Sequence, residues 1–371
     1  MQLTADESTQ LGKSVRAVCE QLATEERIRA VAYDGDGTDA KLWHALSQQI
    51  GVTTIPLTEA AGGALALGVV AHELGRALAP VPFLSSAILA TGLLREVPDP
   101  PEDTLAALAA GERTAAAILG LDSAAWAPSA RIITATRRDG GWTLDGTARH
   151  VLGATGAQDL VVVAAVSGQD DEPAVFLLDA ETEGVTRTPE RVLDPTRPMA
   201  TVTFTASPAH RLTGPRSATA GISRAVHRAI AVLSAEQVGA HERVLELAVD
   251  YARNREQFGR PIGSFQAIKH RCADILVSLE WSRSASQAAL EAADDPFGSA
   301  GELGWRASMA KAVCSEGLRD ATHANLQIHG GIGFTWEDAA HLYLRRARTD
   351  EVLFGGPPAH WELLRSGIEL L

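Results

Sequence analysis

The stretch Val244–Leu279, VLELAVDYARNREQFGRPIGSFQAIKHRCADILVSL, decides how the rest of the chain is read. Val244, Leu247, Ala248 and Tyr251 recur at helical spacing, so one face of the segment is apolar. Gly259, Pro261 and Gly263 then punctuate a turn. Phe265, Ile268, Cys272, Ile275 and Leu279 resume the same period. The pattern predicts a helical hairpin with Arg253, Arg255, Gln257, Arg260 and Gln266 gathered at its connection. A guanidinium and an amide in that place suit a phosphate oxygen, because arginine offers a planar fork of donors. On charge alone the same residues also fit a solvated helix end.

Downstream the chain reads as helical to its end. Ile222–Asn254, Phe265–Ala293, Gly304–Asn325 and Trp336–Arg346 are candidate helices, and short links between them predict a four-helix bundle over residues 213–371. Upstream, residues 1–112 carry helical spacing at Leu11, Val15, Val18 and Leu22, and again at Leu42, Leu46 and Ile50. Between them, residues 113–212 change to a period of two. Ile132–Thr136, a turn at Asp139, Gly140 and Gly141, and Trp142–Leu144 read as a β-hairpin. Leu160–Val166 and Ala174–Leu178 are apolar runs of strand length, and Thr201–Thr205 alternates. The expectation is a mostly helical protein with a small antiparallel β-domain in the middle. His72 and Glu73 read as a hydrogen-bonded helix face rather than a metal pair, since no third ligand accompanies them.

Composition bounds the function. The chain has 371 residues, 46% hydrophobic and 21% charged, which allows two or three domains with a large core. A net charge of −13 with no basic block argues against nucleic acid as a partner. Cys19, Cys272 and Cys314 lie far apart with no paired spacing, which reads as reduced thiols in a cytoplasmic protein. The start, MQLTADESTQ, lacks the apolar run of a signal peptide, and the apolar run near residue 65 is too short to span a membrane.

The wording of the two motifs goes further than their periodicity. YARNREQFGRPIGSFQAIKHRCAD resembles the R-x-x-F-G-x-x-[IL]-x-x-[FH]-Q segment of the acyl-CoA dehydrogenase family. QIHGGIGFTWEDAAHLYLRRAR, from Gln327 to Arg348, resembles that family's Q-x-x-G-G-x-G-[FY] segment and the helix leading to its active-site loop. WTLDGTARHVLGATGAQDLVVVAA and LDPTRPMATVTF resemble its middle domain. The resemblance covers nearly the whole chain. It implies a fold that binds FAD and removes a proton and a hydride from adjacent carbons of an acyl-CoA thioester. Such a reaction needs a cradle for the FAD diphosphate, groups on the flavin ring, and a carboxylate base.

By the resemblance, the cradle is intact. Arg255, Phe258, Gln266, Gln327 and Gly331 match residues that touch FAD across the family's dimer interface. Gly330 and Gly331 would let backbone N–H groups approach an anion without a Cβ in the way. The flavin-ring groups are degraded. Ala115–Trp126 lacks the family's Thr/Ser-Glu-Pro segment, and His150 and Leu152 stand where an aromatic residue and a hydroxyl are expected. Leucine cannot make the hydroxyl's hydrogen bond. The base is missing. Phe354 precedes Gly355 where the family carries its glutamate, and the alternative family position falls near Ala229. Asp350, Glu351 and Glu236 are the nearest carboxylates.

The pattern therefore implies a partner subunit with no catalytic residue and no metal. It would lend its cradle to the FAD of a homologous acyl-CoA dehydrogenase subunit, in an α2β2 heterotetramer of lipid or steroid catabolism that passes electrons to an electron-transfer flavoprotein or similar acceptor. Three alternatives stay open: a complete homo-oligomeric dehydrogenase with a relocated base, a flavin monooxygenase of the same fold, and a flavin-free scaffold.

Overall fold

The computed structural model describes residues 4–58, 63–119, 121–122, 125–128, 132–138, 140–168, 173–213, 215–295 and 298–368. The amino-terminal part is helical: α1 (Ala5–Leu22), α2 (Glu25–Arg29), α3 (Ala40–His44), α4 (Ile55–Thr58), α5 (Ala64–Arg76), α6 (Thr91–Arg95) and α7 (Glu102–Ala109). Each sharp start has a local cause. Thr4 caps α1 in a reciprocal box with Glu7, and the Asp39 carboxylate accepts from the backbone N–H groups of Lys41 and Leu42 to start α3. A wholly buried π-helical segment, Phe83–Ala90, packs on the first strand of the β-domain and on the bundle.

The strands are β1 (Ala115–Ile118), β2 (Leu121–Asp122), β3 (Ala125–Pro128), β4 (Ile133–Arg138), β5 (Gly141–Leu152), β6 (Asp159–Val166), β7 (Pro173–Asp179), β8 (Val185–Pro189) and β9 (Met199–Arg211). Seven of them form one sheet, β1-β6-β4-β5-β9-β7, with β8 on β9, and the β6–β7 pairing curls it back on itself. The expected hairpin is present, with Ile133 opposite Gly146 and Arg138 opposite Gly141. Most pairings are antiparallel, while β1 and β4 each run parallel to β6. β6 is buried along its whole length, which is why its sequence is a continuous apolar run and not an alternation.

The carboxy-terminal part is α8 (Pro215–Asn254), a two-residue-stranded hairpin β10 (Glu256–Gln257) and β11 (Arg260–Pro261), then α9 (Gln266–Asp294), α10 (Ala300–His329), α11 (Ala340–Val352) and α12 (Pro357–Ile368). α8 starts earlier than its apolar spacing suggests, and α11 starts later than Trp336. Helices α8, α9 and α10 pack against one another, and α5 packs along α8. Gly75 and Gly239 allow that last approach, since a Cβ on either would fall about 2 Å from a backbone oxygen of the other helix. At the same seam His72 lies 3.2 Å from Glu73 and 3.1 Å from Glu242, so the two neighbours meet within one ion-pair network. No group of metal-ligating side chains, and no helix long and apolar enough to cross a membrane, occurs among the described residues.

Candidate functional site

Both carboxy-terminal motifs come together at one end of the bundle. Because α9 runs back against α8 and α10 runs back against α9, the ends of α8 and α10 and the start of α9 share that end. Tyr251, near the end of α8, stacks on His329, the last residue of α10, with ring centroids 4.2 Å apart. His329 is held in turn by Asp338 at 2.8 Å. These contacts fix Arg255 and Gly330 relative to each other.

The first arm is the β10–β11 hairpin. Its two turn residues, Phe258 and Gly259, both have positive φ (55° and 74°), the geometry that matches the twist of a two-residue hairpin. A phenylalanine there is strained, and it is 91% exposed. Arg253, Arg255 and Arg260 have no carboxylate partner among the described residues. Arg260 lies 4.1 Å over the Phe265 ring instead. Gln266 opens α9, whose amino terminus has no side-chain cap, so its first N–H groups and the positive helix end face the same place. The second arm is the turn after α10. Gln327, Gly330 and Gly331 are exposed there. Gly330 has φ 63°, and nothing lies within 4 Å of where a Cβ on either glycine would sit. The six sequence-derived cofactor residues thus lie on an exposed, cationic, glycine-lined surface. That surface fits a diphosphate.

The region where the chain's own flavin and base would act differs. Phe354 follows α11 with φ 57°, is 6% exposed, and belongs to the largest apolar cluster along with Leu84, Ile88, Ile222, Val226 and Ala229. Its carbonyl accepts a hydrogen bond from Nε2 of the buried His360 at 2.9 Å. Burial pushes His360 down to about 4, so the ring is neutral. Leu152 packs against the same cluster. His150 sits in a bulge of β5 with φ 56°, and its ring and backbone N–H are both bound to Glu190. Of Ala115–Trp126, residues Gly120, Ser123 and Ala124 lie outside the described residues.

The three nearby carboxylates are engaged elsewhere. Arg197 Nη2 and Arg346 Nη1 both donate to Glu236 Oε1, at 2.6 and 2.5 Å. Burial opposes ionisation of Glu236, but the two guanidiniums outweigh it and hold its carboxyl below the ordinary range. Arg197 Nε donates to Asp350 Oδ1 at 2.7 Å. Burial raises Asp350 to about 6 against the pull of Arg197, and its Oδ2 has no hydrogen-bond partner among the described residues. Glu351 accepts from Arg319 and Arg348. Arg346 also binds Asp194, at 2.6 Å, and Thr196. Sequence reasoning missed Asp194, Arg197, Arg346 and the fully buried Lys311. Asp194 and Arg197 have one signal, the stiff Asp194-Pro-Thr-Arg-Pro198 turn, which places two charges on a loop with little freedom, whereas Lys311 on α10 and Arg346 on α11 have no such local signal.

Residues 222–366 match the acyl-CoA dehydrogenase C-terminal domain. The chain is 32% identical over 356 residues to acyl-CoA dehydrogenase IpdE2 of Mycobacterium tuberculosis, covering 95% of this chain and 94% of that protein. It belongs to the acyl-CoA dehydrogenase family. Two solved structures are similar over nearly the whole chain. One is a single-site variant of the Tcur3481-Tcur3483 steroid acyl-CoA dehydrogenase, with TM-score 0.87 and 30% identity over 98% of both chains. The other is the ChsE4-ChsE5 complex of Mycobacterium tuberculosis, with TM-score 0.85 and 27% identity over 99% of this chain and 98% of that one. The family assignment makes the chain a flavoprotein oxidoreductase type with FAD as cofactor. The side chain that precedes Gly355, Phe354, is a hydrocarbon ring and offers no group able to take a proton.

Proposed function

We propose that this chain is the base-lacking subunit of a heteromeric, FAD-dependent acyl-CoA dehydrogenase, assembled with a homologous subunit that carries the base. The observation that carries the reading is Phe354. It stands before Gly355 where the family places its glutamate, and it is buried in apolar surroundings. A hydrocarbon ring cannot accept a proton. FAD, when bound, supplies the hydride acceptor for desaturation of the acyl thioester. This chain's part is positioning. Arg255 and the amino terminus of α9 would hold the diphosphate, Gly330 and Gly331 would let backbone N–H groups reach it, Gln266 and Gln327 would add amide donors, and Phe258 would cover it. A strained, exposed Phe258 and unpaired arginines are explained if the occupant comes from another chain.

The two-subunit relatives support an α2β2 assembly, and the steroid named for one of them supports a bulky acyl-CoA in cytoplasmic lipid catabolism as the substrate class. An electron-transfer flavoprotein or a similar acceptor would receive the electrons. The domain limits that go with this reading are 1–112, 113–212 and 213–371.

The test is expression of the chain alone and together with homologous acyl-CoA dehydrogenase subunits. The expected result is stable pairing, with FAD and turnover only in the pair. A lone chain that holds stoichiometric FAD and oxidises acyl-CoA would overturn the reading. A second reading, a complete homo-oligomeric enzyme, is favoured by one observation: Asp350 has a free oxygen and titrates near the value a base requires. It requires activity of the lone chain that is lost in Asp350→Asn.

A further inference from the structure

Beside the cradle lies a second concavity of about 320 Å3, open to solvent, between α11, the turn after α10 and the β8–β9 connection. It continues the cradle surface. Phe334 ends the turn that begins at Gly330, and Leu326 on its floor precedes Gln327. Its rim exposes Leu193 (52%), Phe334 (67%) and Trp336 (60%) to water. Single exposed apolar side chains are ordinary, but three around one pocket mark a contact site. Its charge is one-sided. None of its lining residues is acidic, and Arg345 and Arg348 line it. Arg348 is paired with Glu351, whereas Arg345 donates to the Leu193 carbonyl at 3.1 Å and lies 5.7 Å from the Trp336 ring centre. It has no carboxylate partner among the described residues. His341 Nε2 is buried there without a hydrogen-bond partner among the described residues, and burial, with Arg29 and Arg345, lowers its tendency to take a proton.

We propose that this pocket seats an apolar side chain flanked by a carboxylate from the homologous subunit, and so anchors the pair next to the shared cofactor. This rests on the two-subunit reading above. The carboxylate meets Arg345, the apolar group covers Phe334 and Trp336, and a polar neighbour satisfies His341. The arrangement is that of an interface anchor: aromatic and arginine residues around a concavity, with water excluded on docking. Arg345 waits unpaired because its counter-charge lies on another chain.

The test uses the full chain, tagged and co-expressed with its homologous subunit. Phe334→Asp and Arg345→Glu are measured for pairing by titration of the purified partner, for FAD content, and for thermal melting of the lone chain. Arg255→Ala serves as the control. The expected result is at least about 30-fold weaker pairing for both pocket variants, as befits interface hot spots, with an unchanged lone-chain melt. Arg255→Ala pairs normally and binds FAD more weakly. Pairing unaffected by both pocket variants overturns the proposal while leaving the two-subunit reading intact. If no homologous subunit pairs with the wild-type chain, that reading fails. In that event, loss of self-association in the two variants assigns the pocket to a second copy of this chain, and unchanged self-association assigns it to neither. Either result overturns the proposal, as does saturable binding of ADP that Arg345→Glu removes.

Discussion

The carboxy-terminal bundle uses its arginines in opposite ways at two places. Arg255 directly follows α8 and lies nineteen residues beyond Glu236, which corresponds to roughly 28 Å at 1.5 Å per residue of helix. Around Glu236, Arg197 and Arg346 are buried and share three carboxylates, those of Asp194, Glu236 and Asp350. Around Arg255, the exposed Arg253, Arg255 and Arg260 have no carboxylate partner among the described residues. Buried charge must be matched inside the molecule, because an unmatched ion there costs several kcal/mol. Exposed charge is free to be matched from outside. The comparison teaches that one cluster holds the β-domain loop onto the bundle, while the other leaves its guanidiniums open to whatever meets that surface.

The buried cluster is the place where the contrast can be broken most visibly. Arg346→Met removes the cation that links Asp194, Thr196 and Glu236 and leaves two carboxylates under-compensated. The expected loss is about 3–5 kcal/mol of unfolding free energy, read as a lower denaturant midpoint with an unchanged slope. A loss under about 1 kcal/mol would mean that these charges behave like surface pairs. At the exposed cluster, Arg255→Ala should leave that midpoint in place. It should weaken FAD binding to the assembled pair on the order of 10- to 100-fold, the worth of a charge-assisted hydrogen bond, measured by flavin fluorescence on titration.

How far each cluster could be read beforehand follows from its sequence separation. The cradle residues lie within two continuous motifs, and glycine, proline and helical period place them locally. Phe354, His150 and Leu152 are likewise fixed by short-range order. The Arg197–Asp350 contact spans 153 residues and the Arg346–Asp194 contact 152. No local propensity reports such a pairing, so the sequence alone leaves Glu236 and Asp350 as carboxylates without assigned partners. The parallel pairing of β1 and β4 with β6 is hidden for the same reason, since an apolar run shows that a strand is buried and not which way its neighbour runs.

A smaller effect separates the members of the buried cluster. Burial raises the Asp350 carboxyl from its ordinary value to about 6 in the folded protein. Between those values the folded state keeps a proton that the unfolded state has released. Stability therefore falls as pH rises through this window, and above it the cost is fully present. Asp350→Asn should flatten that part of the stability–pH curve. Glu236 is held below its ordinary value, so its contribution runs the other way: present above the unfolded value and lost on acidification. A curve whose slope between pH 4 and 6 is unchanged in Asp350→Asn would show that Arg197 fully holds the Asp350 charge.

The finest test lies in a single methyl group at the cradle. A Cβ on Gly331 meets nothing within 4 Å, and its φ is not of the left-handed kind that Gly330 requires. Gly331→Ala should therefore leave the fold untouched, or stabilise it slightly by restricting the unfolded chain, about 0.4–1 kcal/mol at most. If the glycine serves only the turn, nothing else changes. If its backbone N–H approaches a diphosphate, the methyl group stands between donor and anion, and FAD affinity in the assembled pair falls a few-fold while the melting temperature holds or rises. Stability and cofactor binding then move in opposite directions in one variant. A structural role alone cannot produce that result, because a turn that tolerates the methyl group has no reason to release a ligand.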